Sequence, residues 1–234
     1  MTGLRSLARF VRSTPLHPQW LMPNRFVPGI LRETKGRVLD VGSADRWLVP
    51  HLREDVQYVA LDYPATAIAM YGTRPDVFGD ACKMPFADAS FDAVACFEVF
   101  EHVLEPGATL FEISRTLKRD GAAVISMPFL YPEHDAPHDY QRWTEHRWHR
   151  NAREAGLDVE SIEPMLHAVR ASGVLVCLAL AGSLQHASVP SLILRLPLIM
   201  CLIPCINIVS LALSCVWPDW PALTTGYRLV LKKR

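Results

Sequence analysis

The stretch Arg37–Leu48 constrains the fold more than any other part of this chain. Val38, Leu39 and Val41 form a short apolar run suited to a buried parallel strand, and Gly42 breaks it where the backbone must turn sharply. Asp40 stands at the carboxyl end of that strand. Ligands of open α/β sheets bind beyond the carboxyl ends of the strands, and a turn leading into a helix N-terminus offers N–H groups to a polar ligand. The stretch therefore reads as a nucleotide-type binding loop. A second acid, Asp62, closes the apolar run Val56–Asp62 about twenty positions on, where a carboxylate accepts hydrogen bonds from ribose hydroxyls. That spacing favours a βαβ unit.

The alternation continues. Strands are expected at 37–41, 57–61, near 77–79, at 91–96 and at 122–127, with helices near 46–53, 65–71 and 106–117 and a turn at Arg119–Gly121. Elements of these lengths imply a parallel sheet with helices on both faces and right-handed crossovers. With 24 basic and 24 acidic residues the chain lacks the basic excess of a nucleic-acid binder, and no nucleic acid is expected as partner. Six cysteines are scattered without a CxxC pair, most of them in apolar runs, and read as reduced thiols of a cytoplasmic protein.

A third acid, Asp80, precedes the strand at 91–96, and Glu98, Glu101 and His102 follow it. With these pieces in order, the sequence resembles the class I S-adenosylmethionine-dependent methyltransferases, in particular the branch often labelled type 11. The matching segments are LDVGSADRWL (39–48), VALDYP (59–64), GDACKMPFADASFDAV (79–94), FEVFEHV (97–103) and LFEISRTLKRDGAAVISMPF (110–129). The family's first loop usually carries three glycines; here the second and third places are Ala44 and Arg46. The resemblance implies a Rossmann-like, doubly wound α/β fold with a seven-stranded sheet. It places the sixth strand near Leu157–Glu163 and the last, antiparallel strand near Tyr227–Lys232. It also implies S-adenosyl-L-methionine as cofactor. Asp40, Gly42 and Ala44 would surround its methionine part, Asp62 would hold the ribose, Asp80 and Ala81 would meet the adenine, and Phe97 and Glu98 would lie beside it.

The resulting plan is a basic arm over 1–35, a methyltransferase core over 36–164, a hydrophobic helical hairpin inserted over 165–225, and the final strand over 226–234. The family normally joins its last two strands by a short connection. Here Gly173–Ala181 is apolar all round, and no charged residue occurs from Leu196 to Trp217. As a helix that second run would be roughly 33 Å long, close to the roughly 30 Å of a bilayer's hydrocarbon core. Both ends of the insertion must return to one sheet, so a single membrane crossing is excluded. Trp217 and Trp220 suit a membrane interface. We therefore expect 173–217 to dock the enzyme peripherally or monotopically on a membrane, helped by a basic amphipathic helix at 4–12. The bland alternative is a hairpin buried in protein or in an oligomer interface.

Methyl transfer from a sulfonium is an in-line displacement, so the protein mainly positions the reactants and supplies a base. By resemblance, the loop Tyr131–Thr144 faces the methyl acceptor, with His102, Asp139, Tyr140 and Arg142 on the substrate side. His134 and His138 are the candidate bases, since imidazole titrates near neutrality. Their i,i+4 spacing also suits a metal, but Pro132 and Pro137 disfavour the helix such a pair needs, so no metal is expected. Thr144 reads as a helix N-cap. The acceptor is expected to be small or lipid-like. Two other readings stay open: a soluble small-molecule or glycan methyltransferase with a dimerising hairpin, and a non-catalytic scaffold.

Overall fold

The computed structural model describes residues 10–23, 27–68, 72–185 and 187–234. The expected helix at 4–12 lies mostly outside them, as does residue 26. The chain divides into two compact units: residues 25–129, 133–163 and 226–234 form one, and residues 1–24, 130–132 and 164–225 form the other.

The larger unit is built on a seven-stranded sheet. Helix α1 (Gly29–Glu33) precedes β1 (Arg37–Val41); β2 (Gln57–Asp62), β3 (Val77–Phe78) and β4 (Phe91–Phe97) follow. Next come helix α2 (Pro106–Thr116), β5 (Leu117–Pro128), α3 (Glu145–Glu154), β6 (Leu157–Pro164) and the terminal β7 (Gly226–Lys233). The strand order is β3-β2-β1-β4-β5-β7-β6, with β1 to β5 parallel and β7 antiparallel to β5. Because side chains alternate across a strand, both faces are buried in register. Leu39, Val41, Val94, Cys96, Ile125 and Met127 enter the core beneath α2 and α3, whereas Val38, Ala93, Ala95 and Val124 join Leu31 and Leu48 on the other side. This is the expected doubly wound architecture, with its switch point between β1 and β4.

Two local expectations are corrected. The helix expected near 46–53 is a single 3₁₀ turn, Val49–His51. Arg46 holds a left-handed φ of 56°, which cannot start a right-handed helix, and Leu52 is already extended. The turn expected at Arg119–Gly121 lies inside β5 as an irregularity: Phe91 pairs with Leu117 but Ala93 with Ala122, so β5 carries three more residues than β4 here, with Asp120 at φ 62° among them. Of the helix expected near 65–71, a turn at Pro64–Thr66 is seen, and residues 69–71 lie outside the described ones.

The smaller unit holds α4 (Ala168–Gly182) and α5 (Val189–Val216), the two helices expected before the final strand. Their contacts run antiparallel. Arg170 Nε donates to Ser214 Oγ at 2.6 Å, the Cα of Gly173 faces Ser210, and the thiol of Cys177 donates to Ile203 O at 3.8 Å. The fully buried Asn207 donates through Nδ2 to Pro15 O at 2.7 Å and His17 O at 3.0 Å, which ties residues 15–17 to the hairpin. Helix α5 continues through Pro197 and Pro204 and buries only Ile199, Ile203, Asn207 and Ser210; Ile193, Leu194 and Val216 are exposed.

Candidate active site

Parallel strands place the carboxyl ends of β1, β2, β3 and β4 along one edge of the sheet, and the acids marked in the sequence gather there. Asp40 is buried within β1, where Tyr58 Oη donates to its Oδ2 at 2.6 Å. Burial is the main force on its carboxyl, pushing the pKa up to about 7; the Tyr58 bond opposes this and the Asp62 charge adds to it. The loop beyond β1 keeps left-handed backbone at all three family glycine places: φ is 71° at Gly42, 45° at Ala44 and 56° at Arg46. A methyl on Gly42 would meet Val99 Cγ2 at 2.3 Å, so this position has no room for a side chain. Arg46 is held outside the loop, donating to Asp76 Oδ1 at 2.8 Å and Arg74 O at 3.0 Å, with its guanidinium over the Tyr58 ring.

Asp62 clasps the loop. Its Oδ2 accepts from Ala44 N at 2.9 Å and its Oδ1 from Tyr63 N at 2.8 Å; burial raises its pKa while these two bonds lower it. A carboxylate accepts several hydrogen bonds, so lone pairs remain for a ligand. Asp80 Oδ1 accepts from Cys82 N at 2.8 Å, capping its own turn, and Ala81 packs half-buried against the core. Phe97 lies at the end of β4 with its ring 5.3 Å from that of Trp47, and Glu98 follows in left-handed backbone, its Oε1 accepting from Ser126 Oγ.

Beyond β4 a second cluster is assembled on the 3₁₀ turn Phe100–His102. An aromatic triad fixes that turn: the Phe100 ring lies 5.1 Å from Trp148 on α3 and 6.0 Å from Trp143, which themselves stand 4.7 Å apart. The loop before α3 is laced to the same turn, with Tyr140 N donating to Glu101 O at 2.8 Å and Gln141 Nε2 to Phe100 O at 3.2 Å. Thr144 caps α3 through Arg147 N. The Tyr131–Thr144 loop therefore delivers its histidines to Glu101 and His102. His134 Nδ1 lies 3.2 Å from Asp139 Oδ2, and Asp139 is chelated by Arg142, whose hydrogen bonds hold that carboxyl well below the usual range. His102 Nδ1 meets His138 O at 2.6 Å, and His138 Nδ1 meets Tyr140 Oη at 2.8 Å. All the residues placed on the substrate side by sequence thus share one cluster, although His134 and His138 make their ring contacts with different partners.

Glu101 is not among the site residues expected from sequence. It is fully buried, and neither carboxyl oxygen has a hydrogen-bond partner. Burial first, and the neighbouring Glu98 charge second, hold its pKa well above the ordinary range. The available signal was Phe100, an apolar residue whose neighbour in a single 3₁₀ turn is carried inward with it. A 380 Å³ cavity bounded by Lys35, Asp92, Lys118 and Lys232 lies at the opposite, amino-terminal edge of the strands.

The family model described as a methyltransferase domain matches residues 39–125, which span the first loop, both strand-end acids and β5. Over those residues the chain carries a methyltransferase domain of the class I S-adenosylmethionine-dependent type. S-adenosyl-L-methionine is the cofactor of methyltransferase domains of this type. Among relatives, a 2-phytyl-1,4-naphtoquinone methyltransferase of Thermosynechococcus vestitus is 28% identical over 51% of this chain and 56% of its own. A demethylmenaquinone methyltransferase of Renibacterium salmoninarum is 36% identical over 41% of this chain and 42% of its own length. The chain thus spans about half the length of the curated relatives it matches. A SAM-dependent methyltransferase from Archaeoglobus fulgidus shares the fold with a TM-score of 0.55 at 17% identity, covering 87% of this chain and 88% of its own.

Proposed function

We propose that this protein transfers a methyl group from S-adenosylmethionine to a prenylated aromatic acceptor at a membrane surface. The observation that carries the cofactor half is the β1 loop, which retains the three left-handed turns of a glycine-rich loop and is clasped by Asp62. The acceptor half is supported by the two relatives, whose names specify naphthoquinone-type acceptors, and by the apolar surface of α5. In-line displacement moves the sulfonium methyl onto a nucleophilic oxygen or carbon of the acceptor; the sulfur keeps the bonding pair, and the acceptor's proton leaves. Within the cluster, His138 is the exposed histidine whose ring Nδ1 meets a tyrosine hydroxyl, and we assign it the role of accepting that proton. Asp139 and Arg142 position the loop, and Tyr140 orients His138.

The test pairs cofactor binding with turnover in detergent or in phospholipid vesicles. Titration calorimetry is expected to give micromolar binding of S-adenosylmethionine, weakened at least tenfold, or about 1.4 kcal/mol, in Asp62→Ala. Labelled methyl should then appear on a demethylated isoprenoid quinone supplied in its reduced, quinol form more readily than on a water-soluble phenol, and His138→Gln should lower kcat with KM little changed. Binding without turnover on any such quinol would leave the cofactor reading and discard the acceptor. Absence of binding by folded protein would favour the scaffold reading.

A further inference from the structure

We propose that Glu101, His102 and His134 form a binding site for a divalent transition-metal ion of zinc type. The ligand atoms already converge: His102 Nε2 lies 3.7 Å and His134 Nε2 3.9 Å from Glu101 Oε1, and all three residues offer atoms within 4.8 Å of one another. Metal–ligand bonds of about 2.1 Å in tetrahedral geometry separate ligand atoms by roughly 3.4 Å, so the two glutamate–histidine distances exceed what a shared ion would impose by a few tenths of an ångström, and a side-chain adjustment of about 1 Å closes the whole set.

Two further observations point the same way. Glu101 is fully buried and its carboxyl oxygens have no hydrogen-bond partner, an arrangement that costs free energy unless something binds there. The histidines, moreover, are oriented from behind. His102 Nδ1 is engaged by the carbonyl of His138 and His134 Nδ1 by the carboxylate of Asp139, which places the proton on Nδ1 and turns the Nε2 lone pair of each ring toward Glu101. Backbone carbonyl and carboxylate behind a histidine are the supports that metal-ligating imidazoles use, and here Arg142 fixes the carboxylate in turn. Asp135 Oδ2, 4.0 Å from His102 Nε2, adds negative charge at the rim. Three protein ligands leave a fourth position open for water or for an acceptor oxygen, whose deprotonation a bound cation would favour.

The sequence concealed this site because its ligands are a neighbouring Glu-His pair and a histidine more than thirty positions away on a loop; the i,i+4 pair His134 and His138 is not the one brought together. Metal uptake is read directly, without a measurement of methyl transfer.

Metal-free full-length protein in detergent is titrated with cobalt(II), followed by its visible absorption, and then with zinc against a chromophoric chelator. One ion per chain is expected, with the intense absorption of a tetrahedral site. Glu101→Gln, His102→Ala and His134→Ala should each weaken binding at least tenfold. His149→Ala, which removes a half-exposed histidine on α3, should leave it unchanged. If Glu101→Gln fails to fold, the two histidine variants decide, because their side chains are partly exposed. Absence of stoichiometric uptake overturns the proposal. So does binding that survives all three variants, which would locate the ion elsewhere, for example on exposed Cys201 and Cys205.

Discussion

Ala44 and Arg46 occupy places where a family loop carries glycine, yet both keep glycine's backbone, and this sets a measurable strain. Left-handed backbone costs a residue with a Cβ on the order of 1–2 kcal/mol. At Ala44 nothing offsets that cost through the side chain, so Ala44→Gly is expected to raise the unfolding free energy by about 1 kcal/mol in denaturant titration, while the Ala44 N–H to Asp62 bond survives. An unchanged or lower value would mean the loop is set by that bond and not limited by strain. At Arg46 the ion pair with Asp76 and the Tyr58 ring compensate, and glycine would gain no stability there. Asp40 gives a second prediction at this scale. Its carboxyl titrates at about 7 in the folded protein against about 3.9 in an unfolded chain, so the folded state retains a proton that the unfolded state has released between those values. This stabilising contribution is full below about pH 4 and is lost as pH rises through 7, by up to about 4 kcal/mol. Cofactor affinity should run the other way, rising through pH 7 as the ionised carboxylate meets the positive charges of the sulfonium and ammonium groups. Calorimetry and denaturation at pH 5, 6, 7 and 8 check both, and Asp40→Asn should flatten both profiles.

The hairpin elements depend on close approach. A Cβ on Gly173 would sit 2.3 Å from Ser210 Oγ, so Gly173→Val is expected to force α4 and α5 apart and cost about 1–3 kcal/mol, visible as a lower melting temperature. An unaltered melting temperature would show that the two helices are not packed as described. That contact explains which parts of the fold were legible. Strand β7 was legible only through the family resemblance, whereas β1, β2 and β4 announce themselves because apolar runs such as Val38–Val41 must be buried on a sheet, and a period of two leaves little freedom. The acids at the strand ends were legible for the same reason. The helix expected after β1 was not, because helical periodicity over 46–53 says nothing of the left-handed Arg46 that forbids it. Nor was the irregularity at Asp120, whose Asp-Gly pair signals a turn equally well at a loop or inside a strand. Glu101 was missed because the apolar Phe100 beside it is the one local signal, and what carries that turn inward is the packing of Phe100 on Trp143 and Trp148, more than forty positions away.

At the scale of the whole molecule, the chain must satisfy a long helix, α5, that carries a single charged residue, Arg195. Helix α5 spans 28 residues, about 42 Å, and could cross a bilayer by length, whereas the 15-residue α4 reaches only about 22 Å. Since β6 and β7 belong to one sheet, a crossing by α5 would demand a return that α4 is too short to make. Under the proposed membrane role, shallow docking is the arrangement compatible with both lengths: α5 would lie along the interface, with Trp217 and Trp220, each about two-thirds exposed, toward the headgroups. Its outward side chains Ile193, Leu194, Leu198 and Val216 are all more than half exposed, a larger apolar patch than a monomer in water usually shows. We predict that the purified protein floats with neutral phosphatidylcholine liposomes on a density gradient. A variant carrying Leu194→Glu, Leu198→Glu and Val216→Glu should stay at the bottom with its cofactor affinity unchanged. If instead the wild type remains with the soluble fraction as a dimer and the triple variant is a monomer, then a second copy covers α5, and delivery of a prenylated acceptor from the bilayer loses its structural support.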